Sequence, residues 1–198
     1  MPKRMACSVP EGNMNIFVIH SYNGDTADSF APSVKDFAEK HGLQYIFPDF
    51  PIRKEATYRS WSEVMDTYRS DITEDTIIIA HSLGTLFVPK YIAQNSLRIR
   101  AYISVAGYMN YEGRKDLEEI MTCFYPSEEE FRKCHELIRE RRSLYSDHDR
   151  MNDRSKLVHY AQLLDAVQTE IPGAGHFDPQ SGIRSIPELE EILTQIIC

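Results

Sequence analysis

The sequence predicts an α/β fold, a mostly parallel central sheet with helices on both faces. Three observations predict it. Short apolar runs alternate with helical stretches along the chain, the pattern of strands joined by crossover helices. The run Thr76-Ile77-Ile78-Ile79 passes through Ala80-His81-Ser82-Leu83-Gly84 into Thr85-Leu86-Phe87-Val88, a buried strand, a sharp turn and a helix. With 42% hydrophobic and 26% charged residues, a chain of 198 residues can bury a core without staples.

The elements follow in order. Residues 15–20 form a short buried strand. Ser29 or Pro32 opens a helix that runs to His41, with Gly42 as its stop. Residues 44–47 form the next strand, ended by Pro48 and Pro51. Trp61, Val64, Met65 and Tyr68 then share one buried helical face. The strand before Ser82 leads to a helix over 83–93, kinked at Pro89. Residues 100–106 form a further strand. Residues 110–142 break the alternation with two helices, the second opened by Ser127-Glu128-Glu129-Glu130, which has capping-box form. A weak strand over 142–146, a helix over 153–167, a last strand over 168–171 and a closing helix over 187–197 complete the chain. The expectation is one domain, residues 1–198, with a cap or insertion at about 110–142 whose alternative is a normal crossover helix.

The formal charge of −8 argues against a nucleic-acid partner. The basic cluster Arg132, Lys133, Arg139, Arg141 and Arg142, interleaved with Glu136 and Glu140, reads as a solvated helix face. Cys7, Cys123, Cys134 and Cys198 form no Cys-x-x-Cys or zinc spacing, so free thiols, no metal and a cytoplasmic protein are expected. Lys3 and Arg4 precede an apolar stretch too short for a signal peptide or membrane span. No Gly-x-Gly-x-x-Gly or Walker pattern follows the first strand, which disfavours a nucleotide or flavin binder.

The turn at Ser82 matches the nucleophile-elbow pattern, with Ala80 in place of its first glycine. Such a turn projects the serine hydroxyl from the sheet edge beside the free N–H groups of a helix start. A serine needs a base, and the base needs a third group to fix its tautomer. The base candidate is His176, in Pro172-Gly173-Ala174-Gly175-His176-Phe177 after the last strand. Of the other six histidines, His41 and His159 fall in helices and His135 in the insertion. His20 shapes a loop, His81 points away from the turn, and His148 lies among the acid candidates. Those acids are Asp147, Asp149 and Asp153 after the weak strand, with Asp153 better explained as a helix cap. A metal site from Asp147, His148 and Asp149 is disfavoured because adjacent side chains rarely converge on one ion. Two N–H donors must meet the developing oxyanion. Leu83 offers one, and the backbone of Tyr22, in His20-Ser21-Tyr22-Asn23-Gly24, is expected to offer the other.

These pieces resemble the small α/β-hydrolase family of serine hydrolases that includes retinoblastoma-binding protein nine and its bacterial relatives. The resemblance spans nearly the whole chain. It adds 16–24 near the start, Pro48-Asp49-Phe50-Pro51, Trp61, Gly175-His176-Phe177, Gly182 and Pro187-Glu188-Leu189 to the elbow. It implies a core of eight strands or fewer, no cofactor, and esterase- or amidase-like chemistry on a small molecule. Its Ser-x-x-Asp pattern implies Asp149, counted from Ser146, as the acid. The chain departs from the family at Ser21, where glycine is usual, and at Arg150, where proline often follows the acid. It departs also in the charged segment before Asp149 and in the unmatched insertion. The function expected is a serine hydrolase acting through Ser82, His176 and Asp149. The alternative, to which Ser21 and the charged insertion point, is a binding module on the same scaffold with weak turnover. Glu112, Asp116, Glu118 and Glu119 would disfavour anionic substrates if they rim the site.

Overall fold

The computed structural model describes residues 14–112 and 115–198. Six parallel strands form one sheet in the order β2-β1-β3-β4-β5-β6. They are β1 (Asn15–Ile19), β2 (Gln44–Ile46), β3 (Ile77–His81), β4 (Ile99–Val105), β5 (Ile138–Ser146) and β6 (Val167–Ile171). The helices are α1 (Ala31–Lys40), α2 (Tyr58–Asp66), α3 (Leu83–Asn95), α4 (Lys115–Thr122), α5 (Glu128–Leu137), α6 (Arg154–Leu163) and α7 (Pro187–Ile197).

Strand alternation divides the core into two layers. Phe17, Ile19, Ile78, Ala80 and Tyr102 face a layer that takes Trp61 of α2, most of α3, Phe131 of α5 and Tyr160 of α6. Ile16, Val18, Ile77, Ile79 and Ile103 face the other, which takes Val34 and Phe37 of α1 and Leu189, Leu193 and Ile196 of α7. Strand order reverses at β1, between β2 and β3. The crevice beyond the carboxyl ends of β1 and β3 is therefore the natural ligand position in such a sheet.

α3 lies almost wholly inside and runs through Pro89. Proline has no N–H to give the Thr85 carbonyl four residues back. That carbonyl accepts instead from Tyr160 Oη at 2.6 Å and Tyr102 Oη at 3.2 Å. Tyr160 also covers Gly107, where a Cβ would sit 2.5 Å from its ring.

Several boundaries differ from the sequence reading. β5 begins at Ile138, four residues before the expected start, and pairs along β4 from Ile99. Arg139, Arg141 and Arg142 thus lie on a strand and not on a helix face. Their charge hid the strand. Arg141 satisfies it with the Leu164 and Ile138 carbonyls and the Asp165 carboxylate, and Arg142 with Glu140. The stretch 110–142 accordingly contains a crossover helix, α5, packed against α3, and the first half of β5. α6 ends at Leu163, and Val167 already belongs to β6. Cys123 and Cys134 are free thiols, but Cys198 is disulfide-bonded, which overturns the free-thiol expectation there. Lys3, Arg4 and Cys7 lie outside the described residues, as does the side chain of Asp116. Among the described residues, no helix is long and apolar enough to cross a membrane.

Tyr160→Phe removes the shorter of the two bonds to the Thr85 carbonyl, a loss of about 1 kcal/mol. In a protein of this size the melting temperature should fall by about 2–4 °C. An unchanged calorimetric transition would show that this carbonyl does not depend on Tyr160.

Candidate active site

Ser82 joins β3 to α3 with φ 53° and ψ −116°, a conformation costly for a residue with a side chain. The turn is tight because α3 starts against the end of β1. A Cβ at Gly84 would lie 2.9 Å from the His20 carbonyl oxygen and 3.0 Å from that of Ile19. Ala80 points into the core and tolerates its methyl group.

His176 follows β6, on the turn that contains Gly173 and Gly175, both at positive φ. Its Nδ1 lies 2.8 Å from Asp149 Oδ2 and its Nε2 lies 3.0 Å from Ser82 Oγ. A carboxylate only accepts, so Nδ1 carries the hydrogen and Nε2 is left to accept from the serine hydroxyl. The Asp149 side chain is wholly buried. Its Oδ1 accepts from the N–H groups of Met151 at 2.7 Å and Asn152 at 3.2 Å. Ser146, three residues before it, accepts from the His148 N–H and holds the turn. The structure thus brings Ser82, His176 and Asp149 into one hydrogen-bonded series.

The other acids are elsewhere. Asp147 accepts from the Gly173 N–H at 2.7 Å, tying its loop to that of His176. Asp153 occupies the N-cap position of α6, but its side chain makes no capping bond. His148 is exposed, and among the described residues no cluster is arranged to hold a metal.

A cavity of about 840 Å³ opens above Ser82 and His176. Tyr22 and Ser21 line it from the β1 loop, Ile52 and Arg53 from beyond β2, and Leu117 and Met121 from α4. Among the described residues of 110–142, Tyr111 and the α4 residues Leu117 and Met121 border the cavity. Glu112, Glu118 and Glu119 are not in its lining, and Glu112 pairs with Lys156. Ser21, the departure from glycine, gives its hydroxyl to Asp25. His20 turns from the cavity to the Phe50 carbonyl among Phe47, Phe50 and Trp61. His41 packs on Phe37, His135 contacts the Leu163 carbonyl, and His159 lies on α6.

Two features of the site were missed in the sequence. Arg150 makes a two-pronged ion pair with Asp178, joining the Asp149 loop to the His176 loop, and both residues line the cavity. Burial opposes ionisation of Asp178. Hydrogen bonds from Arg150 and Ser181 outweigh it and hold the carboxyl well below the usual carboxylate range. The pattern Asp178-Pro179-x-Ser181, a cap before a proline-led turn, was the readable signal. The second is His81, fully buried between Thr26 and the His176 carbonyl. Burial, then the nearness of His176, pushes it down to about 4, against the weaker opposing pull of its hydrogen bond to the His176 carbonyl and then of Asp25 and Asp178.

A parallel sheet carrying a serine elbow after β3 and an imidazole after its last strand defines the α/β-hydrolase fold. The family model for serine hydrolases matches residues 48–195, and the chain belongs to that family. It is 24% identical over 183 residues to YdeN of Bacillus subtilis (strain 168), covering 90% of this chain and 94% of that protein. The crystal structure of the B. subtilis ydeN gene product superimposes with a TM-score of 0.82 at 22% identity, over 92% of this chain and 98% of that one. Est1E from Butyrivibrio proteoclasticus shares the fold at a TM-score of 0.67 and 16% identity, over 95% and 90% of the two chains. The meta-cleavage product hydrolase CumD from Pseudomonas fluorescens IP01 does so at 0.68 and 12%, over 95% and 91%.

His81 stays neutral in the folded chain where an unfolded chain, near the usual 6.5, takes up a proton. Its contribution to stability is therefore complete above pH 6.5 and is lost as pH falls from there toward 4. At 1.36 kcal/mol per unit the loss is on the order of 3 kcal/mol. The melting temperature should fall across this interval, and His81→Gln should flatten the fall. Parallel slopes in the two proteins would remove His81 as its source.

Proposed function

We propose that this member of the serine hydrolase family cleaves a small carboxylic ester or activated amide through an acyl-enzyme on Ser82. The observation that carries the reading is the Asp149–His176–Ser82 series, with bonds of 2.8 and 3.0 Å, at the floor of the cavity. Ser82 Oγ attacks the carbonyl carbon while His176 Nε2 takes its proton. Asp149 holds the tautomer and stabilises the imidazolium. The N–H groups of Leu83 and Tyr22 receive the oxyanion. The imidazolium then gives its proton to the leaving oxygen or nitrogen as the bond to the acyl carbon breaks. Water, deprotonated by the same imidazole, attacks the acyl-serine, the bond from the acyl carbon to Ser82 Oγ breaks as the imidazolium returns its proton to Oγ, and the acid leaves. Leu117 and Met121 give the cavity an apolar wall on the α4 side, and we read the α4 segment as a cap on the substrate.

Ser82→Ala should lower turnover of a short p-nitrophenyl ester by on the order of 10⁴-fold or more and abolish labelling by a fluorophosphonate. Labelling retained at another residue would refute the assignment, and a native chain inert to every such probe would favour a binding module. Asp149→Asn should cost about 10⁴-fold in kcat, whereas Asp147→Asn should leave kcat within a few-fold. The reverse ranking would move the acid to Asp147.

A further inference from the structure

His81 adjoins the nucleophile in sequence, yet its ring turns away from the cavity. Its surroundings fix every hydrogen in a short polar chain. The His176 carbonyl only accepts, so His81 Nε2, 2.8 Å away, donates to it. Nδ1 is then bare and accepts from the Thr26 hydroxyl at 2.8 Å. The Thr26 oxygen in turn accepts from the Ser21 N–H at 3.0 Å. Thr26 and His81 are fully buried, so each bond is shielded from competing water. The three loops so joined are those the proposed reaction needs. Ser21 precedes Tyr22 on the oxyanion side, His81 precedes Ser82, and the third partner is the backbone of His176 itself. The two imidazoles lie 5.3 Å apart between centroids, and Phe30 packs edge-on to His81 at 5.6 Å.

We infer that His81 and Thr26 are positioning residues that set the β1 loop, the Ser82 turn and the His176 loop in mutual register. The inference rests on the proposed hydrolysis, since it names what that reaction's parts are referred to. Neither residue touches substrate. A neutral His81 is also what the site requires of a close neighbour when His176 carries a positive charge. A second imidazolium there would repel the first.

The test uses the full chain and p-nitrophenyl acetate. Thr26→Val keeps the shape of the side chain and removes its hydroxyl. His81→Phe keeps a ring and removes both nitrogens. Each should lower kcat by about ten- to a hundredfold, the scale of a small misplacement of reacting groups, with KM within about twofold. Thr26→Ser should recover kcat. The double variant should lose no more than the worse single one, because the two act as a unit. Should His81→Phe fail to fold by circular dichroism, the two Thr26 variants decide. Full kcat in Thr26→Val, a loss confined to KM, or an equal loss in Thr26→Ser overturns the inference. Ser82→Ala separates the two readings. If it stays active the proposed function falls, and if it is dead while Thr26→Val is unimpaired only the positioning role falls.

Discussion

The start of α3 touches the end of β1, and the geometry of the sheet edge follows from that contact. No side chain fits at Gly84, where the His20 and Ile19 carbonyl oxygens stand 2.9 and 3.0 Å from a Cβ position. With α3 held there and β3 held in register between β1 and β4, the chain has one residue in which to turn. Ser82 takes that turn at φ 53°. The backbone strain is sustained by a helix buried on nearly every side and by the Ser82 N–H bonded to the Val105 carbonyl. A helix start that must meet a strand end is thereby also a helix start whose free N–H groups face the crevice.

The loops around that point are joined by polar bonds. Asp147 takes the Gly173 N–H, Arg150 grips Asp178, and the imidazole of His176 meets Asp149. Each of these links the loop after β5 to the loop after β6. The edge strand β6 is short and poorly buried, so apolar packing alone would hold its loop loosely. Fixed charges and oriented amides supply the register that a thin hydrophobic layer cannot.

Much of the fold was legible because its signals are local. The isoleucine run before Ser82, the proline near the start of α1 and the glycine after it each specify a boundary by themselves. β5 was only half legible. Arg141 is accommodated by the His135 carbonyl of α5 and by Leu164 and Asp165 in the α6–β6 connection, and the latter two are distant in sequence. The end of α6 was misplaced for a related reason, since no glycine or proline marks it and Asp165 takes the positive φ. At the site, Ser82 and His176 were readable from their turns, whereas Asp149 was singled out from its neighbours by resemblance alone. Thr26 carried no signal, because its contacts to Ser21 and His81 exist only once β1 and β3 are side by side.

The carboxylate of Asp149 has a division of labour between its two oxygens. One is committed to the turn that follows it, through Met151 and Asn152, and the other to the imidazole. A glutamate, longer by one methylene, would have to abandon one of these engagements to keep the other. The identity of the acid is therefore dictated by the span between a loop and a ring, and acidity by itself would not distinguish the two side chains.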